Sequence, residues 1–171
     1  RIEAYDVSNT SGTSAVASMV VFEEGRPAKD KYRKFRVKTV RGANDVAMME
    51  EVIRRRLIRA NSFPKSWPLP EIMVVDGGWP QVNRVKKTLA VFARETSVDR
   101  SNLTNIKSPH IIGIAKGFDR KQDRLIFDKE DVELARVALR GKELFQRARD
   151  EAHRFAVKYH RQLRGKAFLK R

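Results

Sequence analysis

The chain has 171 residues, enough for one domain with a full core. No apolar run approaches the ~20 residues of a membrane span, and the absence of cysteine excludes disulfides and thiolate metal sites and disfavours structural zinc. Lys and Arg number 37 against 21 Asp and Glu, a net charge of +16, which points to a polyanion; nucleic acid is preferred over an anionic membrane because no long basic amphipathic helix with a bulky apolar face is present.

Arg1 to Val7 alternates, with Ile2, Ala4 and Asp6 on one face and Glu3, Tyr5 and Val7 on the other. An acid in the body of a short strand, on its buried-looking face, is costly unless it is paired or bound to a metal. Ser8 to Gly12 has turn chemistry, Ala15 to Phe22 reads as a second strand, and Glu23 to Pro27 as a turn with Gly25 available for positive φ. Lys31 to Val40 reads as a third strand, with Tyr32, Lys34, Arg36 and Lys38 forming a solvated basic row. Asn44 can cap a helix running to about Arg59, with Val46, Met49, Ile53 and Leu57 inward. Arg54, Arg55, Arg56 and Arg59 then lie near its end, favourable to the dipole and available for phosphates.

The stretch from Leu69 to Gln81 organises the rest. Ile72 to Val75 reads as a strand buried on both faces, stopping at Asp76 and two glycines, after which Pro80 opens a helix to Arg94. Asp76 falls at the C-terminal lip of a central strand, where open α/β sheets bind ligands. It either closes a turn or serves a site, and a second acid on a neighbouring strand is what decides. Glu95 to Pro109 reads as loop, Ile111 to Ala115 as a strand, Lys116 to Lys121 as a cationic loop, and Leu125 to Phe127 as a short strand. Phe145, Ala148, Ala152, Phe155, Tyr159 and Leu163 form one helical stripe, with Asp150, His153 and Val157 on an adjoining face. Spacing alone would pair His153 with Asp150. The order predicts a mixed α/β sheet, three antiparallel strands and then alternating helices and parallel strands, flanked by helices. That is the topology of the ribonuclease H-like fold, in which a first-strand acid and a later parallel-strand acid meet near the sheet centre.

Five motifs then carry a resemblance: Tyr-Asp-Val-Ser-Asn at 5–9, Ala-Ser-Met-Val-Val-Phe at 17–22, Asp-Gly-Gly at 76–78 with Gln81, Ile-Ala-Lys-Gly-Phe-Asp-Arg-Lys at 114–121, and Arg-Asp-Glu-Ala-His-Arg-Phe-Ala at 149–156 followed by Tyr159-His160-Arg161. In order and spacing they resemble the C-terminal endonuclease domain of UvrC, the nuclease subunit of bacterial nucleotide-excision repair. The resemblance implies a ribonuclease H-like domain over residues 1–165, with 166–171 a basic linker, that makes the incision 5′ to a DNA lesion. It implies Asp6, Asp76 and His153 as catalytic residues and ligands of Mg2+ or Mn2+, and Asp45, an acid at the start of the first helix, as a further catalytic residue. Residues alone read Asp45 as a first-turn acid serving the helix dipole. Trp79-Pro80 departs from the Lys-Gly or similar pair common after Asp-Gly-Gly, and the proline-containing segment before the last helix is missing around Val132 to Lys142.

Lys116, Arg120, Lys121, Arg154 and Arg161 are expected to touch phosphates, which gives salt-dependent binding without sequence reading. The implied partners are damaged duplex DNA and a UvrB–DNA complex reached through parts of the parent chain outside these residues; the implied compartment is the cytoplasm, with no membrane. Two alternatives stand beside this reading, a silent basic nucleic-acid-binding domain and another ribonuclease H-like nuclease such as a junction resolvase. Binding alone needs no acids in a basic cleft.

Overall fold

The computed structural model describes residues 1–8, 15–40, 42, 44–96, 108–117 and 122–168, with the side chains of the last helix as far as Gln162. Strands β1 (Ile2–Ser8), β2 (Val16–Glu23), β3 (Arg26–Pro27) and β4 (Arg33–Arg36) precede helix α1 (Asp45–Ser62). Then follow β5 (Ile72–Asp76), α2 (Trp79–Thr96), β6 (His110–Ala115), β7 (Arg124–Ile126), α3 (Val132–Arg140) and α4 (Lys142–Phe168). One mixed sheet runs β3-β2-β1-β5-β6-β7, with β4 also on β2. The β1–β2 and β6–β7 pairs are antiparallel, and β5 is parallel to both β1 and β6. The expected mixed α/β architecture is therefore present, with the parallel strands at its centre.

Helices cover both faces of that centre. One core layer joins Ala4, Val20, Val74 and Ile112 to Phe145, Ala148 and Ala152 of α4. The other joins Tyr5, Met19, Met73 and Val75 to Met49, Val52 and Ile53 of α1 and Val82 and Val85 of α2. A strand buried on both faces must read as continuously apolar, as Ile72–Val75 does. The exception is β1, which carries a buried acid on each face, Glu3 and Asp6.

Four expectations need correcting. The third strand is two short pieces on one edge of β2, joined through a 3-10 turn at Lys29–Lys31. Beyond Arg36 the backbone leaves the ladder because the Glu51 carboxylate accepts the N–H groups of Lys38 and Thr39 and the Thr39 hydroxyl. Tyr32, expected in a solvated row, packs edge-on against Phe155 of α4 at 5.2 Å. Arg56, expected near phosphates, is buried; it donates to both Glu3 oxygens at 2.8 and 3.0 Å and to the Trp67 and Pro68 carbonyls. Helix α3 was not anticipated, although its apolar residues share one side; it buries Leu134 and Ala138 and leaves Val132, Val137 and Leu139 exposed. Its start is nonetheless marked, since Asp131 caps it by accepting from the Leu134 N–H at 2.9 Å. The α1 cap matches expectation, with Asn44 accepting from Ala47, although the helix extends three residues past Arg59.

Candidate active site

Parallel pairing of β1 with β5 sets Tyr5 opposite Val75, so Asp6 and Asp76 follow side by side on the face covered by α4. On the other flank Asp6 pairs with Ser18 of β2, whose hydroxyl donates to the Ala152 carbonyl at 2.7 Å. That bond fixes the height of α4 against the sheet and brings His153, the next residue, over Asp6. Ala148, Ala152 and Ala156 lie fully buried beneath, small enough to let the helix approach closely. Farther along, the buried His160 ring nitrogen lies 3.1 Å from the Ser8 carbonyl, a second anchor between helix and strand. His160 is therefore packed in the fold.

Ligand atoms of Asp6, Asp76 and His153 all lie within 4.8 Å of one another. Asp6 is 4% exposed, and among the described residues its Oδ2 has no hydrogen-bond partner. His153 Nδ1 lies 3.5 Å from it, long for a hydrogen bond. Asp150, the rival partner for His153, instead accepts from Arg149 at 2.7 and 3.0 Å. Burial pushes the Asp6 carboxyl above the usual carboxylate range; His153 pulls it down, and the charge of Asp76 adds to the rise. A buried carboxylate oxygen without a donor is a polar group waiting for a partner. Two carboxylates and an imidazole suit a divalent cation with hard oxygen preference, manganese accepting the nitrogen more readily than magnesium.

The turn after Asp76 is tightly built. Gly77 has φ +146, and a Cβ there would lie 2.6 Å from the Gln81 side chain. The Gly77 N–H donates to Ile114 and the Gly78 N–H to Gln81 Oε1, half of a capping box for α2. Lys116, exposed, extends from the end of β6 to within 3.9 Å of Asp76 Oδ2.

One contributor carried no signal beyond its position in a basic loop. Asp123 is buried and accepts from the Gly117 N–H at 3.0 Å, Gln146 at 3.1 Å and Arg149 at 2.8 Å. It thereby ties the segment after Lys116 to α4, one helical turn before His153. Burial works to raise the Asp123 pKa, but these three donors outweigh it and hold the carboxyl below the ordinary range. Ser18 was missed as well, because a strand serine reads as a neutral filler until its partner helix is known.

Arg154 and Arg161 are exposed on α4, Arg154 held by Glu151 at 2.7 Å. With His153, Val157 and Lys158 they line a shallow groove leading away from the carboxylates. Asp45 is exposed in the first turn of α1 and does not join the Asp6–Asp76–His153 group among the described residues. Arg120 and Lys121 lie outside the described residues.

A mixed sheet of this order, with acids side by side on its two central parallel strands and a helix covering them, defines an α/β domain of the ribonuclease H-like class. The family model for the UvrC RNAse H endonuclease domain matches residues 1–157, and the chain belongs to that family. It is 42% identical over 99% of its length to UvrABC system protein C of Dehalococcoides mccartyi, and 40% identical over 97% to that of Streptococcus uberis. The chain spans 26% of the length of each of these relatives. Among solved structures, it is similar to Ciona intestinalis Endonuclease V in complex with a 24mer DNA containing an inosine followed by a ribo-adenosine, with a TM-score of 0.43 and 15% identity over 82% of this chain and 56% of that one. Human ENDOV gives a TM-score of 0.38 and 15% identity over 81% of this chain and 53% of its own.

Proposed function

We propose that this domain is a metal-dependent DNA endonuclease making the 5′ incision beside a lesion in nucleotide-excision repair. It acts in the cytoplasm on damaged duplex presented by the rest of the parent chain and by UvrB. One observation carries most of the reading: an unpartnered buried carboxylate oxygen, a second carboxylate and an imidazole converge within 4.8 Å. Their setting, a domain of charge +16, is one in which acids do not help anion binding by themselves.

In this reading Asp6 and Asp76 hold Mg2+ or Mn2+, with His153 as third ligand. When bound, the cation neutralises phosphoryl oxygens and acidifies water. The chain's own residues then bind and orient. Lys116 sets an ammonium beside Asp76, where it can hold a phosphate next to the one being cut. Arg154 and Arg161 continue the cationic track along α4, and Arg120 and Lys121 are assigned to the same backbone contacts by resemblance. His153, 52% exposed on its side chain, is open to substrate while its Nδ1 faces Asp6. The Asp123 clamp keeps Lys116 and His153 in register with each other. Asp45 keeps a supporting role by family resemblance, at the mouth of α1.

The test is incision of a lesion-containing duplex by the parent protein carrying Asp76→Asn, with manganese present and DNA binding measured in parallel. Lost 5′ cutting with binding and 3′ cutting retained is the expected result. Retained 5′ cutting would remove Asp76 from the chemistry and leave a basic binding module.

A further inference from the structure

Beside the carboxylates stands a residue that neither metal binding nor phosphate neutralisation uses. Trp79 is 48% exposed, the first residue of α2 and three positions after Asp76. Three residues span at most ~10 Å, so the backbone of Trp79 starts within that reach of Asp76. Its backbone is held in place. The Gly78 N–H bonds to Gln81, the Val82 N–H to the Gly78 carbonyl, and Gly77 is packed against the Gln81 side chain. The first turn of α2 has no acid, and Lys116 reaches to 3.9 Å from Asp76. The indole, exposed at the start of α2 and three residues after Asp76, has a face with no ring or cation partner among the described residues. The chain's other tryptophan, Trp67, is committed to the fold, with the Arg33 and Arg56 guanidiniums 5.0 and 5.5 Å from its ring. Phe63, also strongly exposed among the described residues, carries Arg59 on its ring at the C-cap of α1.

We propose that Trp79 is a base-stacking platform, taking on its face the nucleobase that flanks the phosphate held at Asp6, Asp76 and His153. This rests on the nuclease reading and deepens it: the substrate subsite is an unpaired or unstacked base, not duplex backbone alone. Aromatic faces accept every base, so such a contact positions the strand without reading sequence. It also explains why a large apolar surface is left in water at this turn, where a lysine would serve phosphate binding alone.

The test separates bases from phosphates. Binding of a short oligothymidylate is compared with that of an abasic oligomer of equal length and charge, without divalent cations, over a salt series. Wild type is expected to favour the base-bearing strand about tenfold, within the range measured for one stacked base. Trp79→Leu, which keeps bulk without a π-face, loses that preference; Trp79→Phe keeps most of it, and Phe63→Ala changes nothing. The salt slope stays the same in all four proteins, since no phosphate contact is removed. A preference that survives in Trp79→Leu overturns the proposal, as does an equal loss for both oligomers with a shallower salt slope. Failure of wild type to bind either strand would overturn the nuclease reading along with it, whereas loss of the stacking result alone leaves that reading standing.

Discussion

Asp6 in the cation-free protein should cost stability, and replacing it should show this directly. Two unit charges 4.8 Å apart, the outer limit of the group, repel by roughly 3–4 kcal/mol at an effective dielectric of ~20. His153 at 3.5 Å from Asp6 and Lys116 at 3.9 Å from Asp76 offset part of that. A net cost of about 1–2 kcal/mol remains once burial is included, so Asp6→Asn should raise the melting temperature in EDTA by roughly 2–8 °C. The sign follows from titration: the folded Asp6 pKa is raised, so the cost is present above it and fades as pH falls through it toward the unfolded value near ~3.9. The gain from Asp6→Asn is therefore largest at alkaline pH and shrinks on acidification. Manganese should reverse the ranking. At a concentration of ~100 times Kd it stabilises by about 2.7 kcal/mol, roughly 5–11 °C, in wild type and not in Asp6→Asn. Differential scanning fluorimetry with and without manganese, from pH 5 to 8.5, measures both effects. A lower EDTA melting temperature for Asp6→Asn, or an intact manganese shift, would refute the argument.

Three further outcomes follow. Asp123→Ala leaves Arg149 with Asp150 as its remaining carboxylate and strips Gln146 and the Gly117 N–H of their acceptor, and should cost about 1–3 kcal/mol in urea unfolding. The folded Asp123 pKa is depressed, so its contribution is present above the unfolded carboxylate pKa of ~3.9 and lost as pH falls through the folded value; wild type should therefore lose more stability below pH 4 than Asp123→Asn does. Lys116→Gln should weaken binding of every DNA sequence alike and lower the salt slope by about 1, measured by fluorescence anisotropy. Glu3→Gln strips the charge that neutralises buried Arg56 and should cost about 3–5 kcal/mol, yet leave the manganese response intact because Glu3 faces the opposite layer.

Local chemistry was legible where one residue type has one use. Asn44 before a helical stripe, Gly77 and Gly78 after an apolar run, and the inward stripe of α4 through Phe145, Ala148 and Ala152 all read correctly because each meets its need within a few residues. Tertiary capture was not legible. Glu51 takes the backbone of Lys38 and Thr39 from across the chain, and nothing in Lys31 to Val40 announces the strand's early end. Helix α3 was legible in its helical apolar spacing and went unread, whereas Asp123 hid because an acid in a cationic loop reads as solvent-facing until Arg149 is placed beside it. The candidate site was accessible for a different reason: alternation along β1 put Asp6 on one face with Ala4, and only the pairing of β1 with β5 was needed to bring Asp76 beside it.

Strand β1 contains the contrast that separates structure from function in this fold. Its two buried acids lie three residues apart on opposite faces, and periodicity treats them alike. Glu3 receives Arg56 on both oxygens, Arg1 on one and the Tyr5 hydroxyl on the other, so its charge is balanced by the chain itself. Burial pushes the Tyr5 hydroxyl pKa up, reinforced by that carboxylate, which keeps it a donor across the physiological range. Among the described residues Asp6 receives no such donor on Oδ2, faces another acid, and has an exposed imidazole 3.5 Å away. A sequence under pressure for stability alone would treat Asp6 as it treats Glu3, or replace it with a valine. An acid kept buried beside a second acid costs stability in the cation-free fold, and a divalent cation held by both would relieve that cost.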